Sequence, residues 1–133
     1  MARYLLDTTT LIDFSKGREP TRSWVLEHVD SGDELGVSPI NLAEFYAGVD
    51  PAHHADWDEF FNLLTFWSID RALAKRGGAI RYEHARKGLQ LSATDTLIAA
   101  VAEAHQAVLV TANIKDFPMD TITVISPSSA GIQ

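Results

Sequence analysis

Residues 92–104 read SATDTLIAAVAEA, and no other stretch constrains the fold as strongly. Ser92 or Thr94 can cap the free N–H groups of a helix that starts here, and Asp95 falls in its first turn, where the helix dipole is positive. Ala, Leu and Ile fill the next two turns, so the helix is rich in small residues and suited to burial. Its polar edge lies only at its mouth. An acid in that position either caps the helix or points into a site, and the outcome depends on which other acids meet it.

The flanking segments have α/β character. Residues 3–7 (RYLLD) read as a short buried strand ending on Asp7, and 107–110 (AVLV) as another, followed by Thr111, Asn113 and Asp116. Residues 34–37 and 64–69 suggest two more strands, and 121–125 (TITVI) alternates as a last one. Helices are expected in 11–14, closed by Gly17, and over 20–30, 40–48, 55–66 and 70–87. Ser38 and Pro39 form a good cap and first-turn pair for the third of these, on which Ile40, Ala43 and Ala47 share a face with Glu44 beside it. Gly77 and Gly78 are expected to kink or interrupt the last. Trp57, Phe60, Phe61 and Leu64 recur at helical spacing, as core stripes do, with a partner surface the less common alternative. His53 and His54 suggest an exposed turn, and His84 and His105 structural or surface roles. The element order predicts one α/β domain over residues 1–133, a sandwich around a mainly parallel sheet, with 126–133 a polar, frayed tail.

Composition removes several function classes. Eleven Lys and Arg against 18 Asp and Glu give a net charge of −7, which repels nucleic acid and argues against a passive nucleic-acid coat. It does not exclude an enzyme whose acids hold divalent cations, because a bound ion reverses the local field. Cysteine is absent, so disulfides and zinc-thiolate sites are ruled out. No run is long enough to span a membrane or to read as a signal peptide, and a cytoplasmic protein without membrane contact is expected. Arg71, Lys75, Arg76, Arg81, Arg86 and Lys87 place six of the eleven cations in residues 70–87, where phosphate contacts would be sought first.

Asp7, Glu44, Asp95 and Asp116 are remote in sequence, yet three of them fall at strand or helix ends expected on one edge of the sheet. Convergence would raise their pKa values and cost stability unless a cation intervened. Oxygen donors without His or Cys favour Mg²⁺ or Mn²⁺, ions that activate water and steady a leaving oxygen in phosphodiester hydrolysis.

Four motifs sharpen this picture: LLDTT at 5–9, INLAEF at 40–45, TDTLIAA at 94–100 and VTANIKDF at 110–117. Together, over about the whole chain and in the same order, they resemble the PIN-domain ribonucleases, in particular the VapC toxins of bacterial type II toxin–antitoxin modules. The resemblance implies a PIN-like α/β/α sandwich in which Asp7, Glu44, Asp95 and Asp116 form the acidic quartet, with Asp7 and Asp95 the main metal ligands. Thr8 resembles the hydroxyl that follows the first acid, and Thr111 and Asn113 the polar pair after the fourth strand. Some family members carry an acid at the place of Asn113, so the fourth role stays divided between Asn113 and Asp116.

The family further implies an endoribonuclease dependent on Mg²⁺ or Mn²⁺ that cuts tRNA or other structured RNA. It also implies a homodimer neutralised by a VapB-type antitoxin, with operator DNA reached only through that antitoxin. Two alternatives stay open, a catalytically silent PIN-fold interaction module and a PIN nuclease outside toxin systems. A receiver-like phosphoacceptor domain is disfavoured, because it would want adjacent acids where this chain has Asp7, Thr8 and Thr9.

Overall fold

A computed structural model describes residues 2–128. Strand β1 (Arg3–Leu6) leads into α1 (Thr8–Ser15) and α2 (Thr21–Asp30), then β2 (Glu34–Val37) and α3 (Pro39–Ala47). A turn of 3-10 helix at Pro51–His53 precedes α4 (His54–Phe61) and β3 (Thr65–Phe66). The long helices α5 (Arg71–Arg86) and α6 (Ala93–His105) follow, then β4 (Val108–Val110), a second 3-10 turn at Ile114–Asp116, and β5 (Val124–Ile125).

Among the described residues the strands form one sheet in the order β3-β2-β1-β4-β5, with every pairing parallel. In β1, Tyr4 stands opposite Leu35 on one side and Val108 on the other, and Leu6 opposite Val110. Successive side chains alternate between faces, so Leu5 and Leu109 enter a core with Ile80, Ile98 and Val101. Leu6 and Val110 enter the opposite one with Leu11, Trp24, Val25 and Phe45. The expected α/β/α sandwich is present. Because β1 is central and its two neighbours lead away in opposite directions, the carboxyl ends of β1, β2 and β4 open onto one crevice, the usual ligand position in such sheets.

Several local expectations change. Helix α5 runs unbroken through Gly77 and Gly78. A Cβ on Gly77 would lie 2.8 Å from Leu97 Cδ2 and 3.3 Å from its Cα, so that glycine lets α5 and α6 touch instead of bending the helix. The buried face of α3 is Asn41 and Phe45, while Ala43 and Ala47 are exposed. β3 and β5 keep only two residues each. The chain leaves β3 because the next side chain, Trp67, turns into the core, its main-chain N–H still bonded to Val37 O at 2.9 Å. α4 ends at Phe61, earlier than expected. His54 is half-buried against the Tyr46 ring, with centroids 4.8 Å apart, so it is not part of an exposed turn. The aromatic stripe faces inward: Phe60 stacks on Phe14 at 4.7 Å, and Trp57 and Phe61 meet Phe45 edge-on at 5.3 and 5.2 Å. In the expected tail Pro127 is buried, and 129–133 lie outside the described residues. Among the described residues no helix is long and apolar enough to cross a membrane.

Candidate active site

Asp7 is the first residue beyond β1 and the N-cap of α1, yet its side chain makes no capping bond. The main chain explains its placement: Asp7 N–H donates to Val110 O at 2.9 Å, continuing the β1–β4 ladder one step past the strand. The carboxylate, 6 % exposed, is held from both sides. Oδ2 accepts the Thr111 hydroxyl at 2.7 Å and Oδ1 accepts Asn41 Nδ2 at 3.3 Å, with the Thr9 hydroxyl at the longer distance of 3.5 Å from Oδ2. Burial raises the Asp7 pKa above the ordinary aspartate value, against the lowering effect of the bonds from Thr111, the Thr8 main chain and Thr9; the charge of Glu44 adds to the rise.

Glu44 is exposed on α3 but tethered across the crevice, because Thr8 Oγ1 donates to its Oε1 at 2.6 Å. On α6, Ser92 is the cap that forms, its hydroxyl accepting Asp95 N–H at 3.1 Å. The Asp95 carboxyl is half-buried and its pKa is also raised, first by burial and then by the charges of Asp116, Asp7 and Glu44; a bond to Ser92 opposes this. Asp95 therefore lies within the field of the other three predicted acids, at the crevice where the strand order reverses.

Asp116, in the 3-10 turn after β4, is the acid whose charge acts most strongly on Asp95. Asn113 contributes through its main chain, its N–H donating to Thr111 Oγ1 at 3.0 Å, and among the described residues its side chain makes no hydrogen bond. Of the two candidates for the fourth position, Asp116 is the one whose charge reaches Asp95. Thr8 and Thr111 both bond to acids, Thr8 to Glu44 and Thr111 to Asp7.

Sequence reading passed over Thr9 and Asn41. Thr9 accepts Ala112 N–H at 3.0 Å and lies 3.2 Å from the Thr111 hydroxyl, locking the loop after β4 to α1. A threonine run at a helix start was the available signal for Thr9; for Asn41 it was the spacing of a polar residue three positions after the Ser38 cap.

Arg76 leaves the set of candidate phosphate contacts. Its guanidinium forks onto Glu103 of α6, with Nε–Oε1 at 2.7 Å and Nη2–Oε2 at 3.0 Å, and lies 3.6 Å from Glu83. Both partners respond: the Arg76 pKa is raised by that bond and the Glu103 pKa lowered by it. Arg76→Ala is expected to lower stability by about 1 kcal/mol, the upper range for a partly exposed pair of good geometry, as read from urea midpoints. Any RNA affinity of the folded variant should be unchanged.

Among the described residues no group of three or more His, Cys, Asp or Glu is assembled closely enough to hold a metal ion as it stands. The donor chemistry nevertheless fits a hard cation. Asp7, Glu44, Asp95 and Asp116 offer only oxygen donors, and Mg²⁺ commonly keeps several waters and binds through only one or two carboxylates plus substrate phosphate, without an all-protein cage.

This fold and acid cluster define a PIN domain, and residues 4–118 match the PIN domain family model. Ribonuclease VapC19 of Mycobacterium tuberculosis is 31 % identical over 117 residues, 86 % of this chain and 92 % of that protein. The tRNA(fMet)-specific endonuclease VapC of Salmonella typhimurium is 30 % identical over 127 residues, 88 % of this chain and 91 % of that protein. Among solved structures, VapBC2 from Rickettsia felis bound to a DNA fragment from their promoter superposes with a TM-score of 0.80 at 25 % identity, covering 93 % of this chain and 98 % of that one. The chain belongs to the VapC family of PIN-domain ribonucleases.

Proposed function

We propose that this chain is an endoribonuclease toxin that hydrolyses phosphodiester bonds of tRNA or other structured RNA and depends on Mg²⁺ or Mn²⁺. The single observation that carries this reading is the Asp95 carboxyl, half-buried at a helix mouth and repelled at once by Asp116, Asp7 and Glu44. An acid cluster in which the Asp7 and Asp95 pKa values are both raised is understandable where a cation is to be bound. The name of the Salmonella relative supports tRNA as the substrate class.

Asp7 and Asp95 would hold the cation, which when bound supplies Lewis-acid stabilisation of the phosphate and an activated water. Asp7 is fixed for this by Thr111 and Asn41, whose donors keep its oxygens pointing across the crevice. Glu44, free on its solvent side but tied by Thr8, is placed to accept a proton from the attacking water. Asp116 completes the negative field that draws the cation.

The basic end of α5 is the approach we propose for RNA. Arg81 reaches across to Leu91 O at 2.9 Å, just ahead of the Ser92 cap, so this end of α5 lies beside the mouth of α6. Arg81, Tyr82 and Gln90 line an open groove of about 420 Å³, and the Arg86 guanidinium sits over the Tyr82 ring at 5.3 Å. Arg81→Ala with Arg86→Ala is expected to weaken RNA binding severalfold and to reduce the slope of log affinity against log salt by about 2, measured by filter binding at several salt concentrations.

The Rickettsia felis complex supports a VapB-type antitoxin as partner, and the net charge of −7 favours operator DNA being reached through that antitoxin and not by this chain. A homodimer in the cytoplasm completes the proposal. Its test is incubation of total tRNA with the purified chain in Mg²⁺, in Mn²⁺ and in EDTA, beside Asp95→Asn. Cutting that needs metal and disappears in the variant is expected; a folded, metal-supplied chain that cuts no RNA would sink the reading in favour of a silent interaction module.

A further inference from the structure

Asn41 is 0 % exposed, and its amide uses all four of its hydrogen-bonding positions. Oδ1 accepts the Ser38 main-chain N–H at 3.2 Å and the Ser38 hydroxyl at 2.7 Å. Nδ2 donates to Asp7 Oδ1 and to Thr8 Oγ1, each at 3.3 Å. A main-chain N–H can only donate, so the atom facing Ser38 is the oxygen and the –NH₂ must face Asp7 and Thr8. The Thr8 hydroxyl accepts the hydrogen bond from Asn41 and donates its own to Glu44 Oε1 at 2.6 Å. One line of donors, oriented from Ser38, thus ends on two acids carried by different elements.

The capping box of α3 needs only the Ser38 half of these bonds. The other half reaches back 34 residues to the end of β1. We propose that Asn41 is a positioning residue for the hydrolysis, setting Asp7 directly, and Glu44 through Thr8, at a fixed separation across the crevice. Without it the two carboxylates repel each other and the exposed Glu44 turns to solvent. This inference rests on the ribonuclease reading above.

The test compares Asn41→Ala with Ser38→Ala in the full chain. Both lose side-chain capping bonds and should melt at similarly lowered temperatures. In Ser38→Ala the main-chain N–H of residue 38 still orients the amide, and the Ser38 side chain touches no acid. Asn41→Ala should lower kcat for RNA cleavage, and weaken Mn²⁺ binding followed by electron paramagnetic resonance without RNA, by about 10- to 100-fold. Its KM for RNA should move by no more than about twofold, as for loss of an interaction made in the transition state.

Ser38→Ala should stay within about threefold of wild type in both readouts, a loss well below that of outer-shell ligands. Thr8→Val leaves the capping box whole and cuts only the branch to Glu44. It should cost about tenfold in kcat, so the test survives a poorly folding Asn41→Ala. Wild-type kcat and Mn²⁺ affinity in Asn41→Ala, or in Thr8→Val should Asn41→Ala not fold, overturns the inference, as does an equal loss in Ser38→Ala. If the wild-type chain itself neither cuts RNA nor binds Mn²⁺, the ribonuclease reading falls first and takes this inference with it.

Discussion

Asp7→Asn is expected to lower RNA cleavage by at least about 100-fold, the loss of several kcal/mol of metal-borne stabilisation, while making the metal-free protein more stable at neutral pH. The sign follows from burial. The Asp7 pKa is higher in the folded chain than in the unfolded one, so the folded state binds its proton more tightly. The ionised carboxylate therefore costs stability at every pH above the raised folded value. That cost shrinks as pH falls through the folded value and is gone below the unfolded one.

Asn keeps the size and shape of Asp and removes the charge. Thermal melts in EDTA should show the variant above wild type at pH 7.5, with the two converging toward pH 4. Saturating Mn²⁺ should reverse the order. It stabilises wild type by about 2.7 kcal/mol at one hundred times its dissociation constant, and Asp7→Asn by little. Equal stabilisation of both proteins would remove Asp7 from the metal site.

Gly36→Ala should be the most damaging small substitution in the sheet. A Cβ there would stand 2.2, 2.3 and 2.6 Å from three carbons of the Trp67 ring, all far inside contact distance. The ring has little room to retreat. It is 6 % exposed and stacked on the His105 imidazole, with centroids 4.6 Å apart and planes at 12°. Overpacking of this kind costs about 1–3 kcal/mol, and more where the neighbour cannot move. The gain in strand propensity from Gly to Ala is smaller than that. Urea denaturation should show the loss, and Trp67→Leu should return part of it. A double-mutant cycle with no coupling between the two positions would contradict the steric account.

The acids were legible in the sequence because their chemistry is tied to local punctuation. Asp7 ends an apolar run, Asp95 follows a serine cap, and Asp116 lies beyond another apolar run. Glu44 sits on an ordinary amphipathic helix and needed the motif around it. What holds the acids was less visible. Asn41 fell outside the face read from Ile40, Ala43 and Ala47, because the helical period marks apolar residues and a buried amide interrupts the pattern without declaring its partners.

Gly36 and Gly77 carried no local signal for their role, since close approach is a property of the neighbour, Trp67 or Leu97, and not of the glycine. The cations of α5 formed one group in sequence, but Glu103 took Arg76 out of it. The two-residue β3 and β5 are held by pairing with longer neighbours and not by their own composition.

The pairing of β4 beside β1 has a consequence for the timing of synthesis. Asp7 is made well before its setting is complete, because the hydroxyl of Thr111 that holds it, and the Asp116 charge that acts on Asp95, belong to segments made more than a hundred residues later. A chain still attached to its ribosome at α6 has β1, β2 and three of the four acids, yet lacks the strand that closes the crevice. Partial products, including fragments left by premature termination, would be unarmed. On the proposed function, a ribosome making this protein would be spared its activity until β4 and the turn after it have been made, which leaves a cotranslationally supplied inhibitor time to be present when the site first closes.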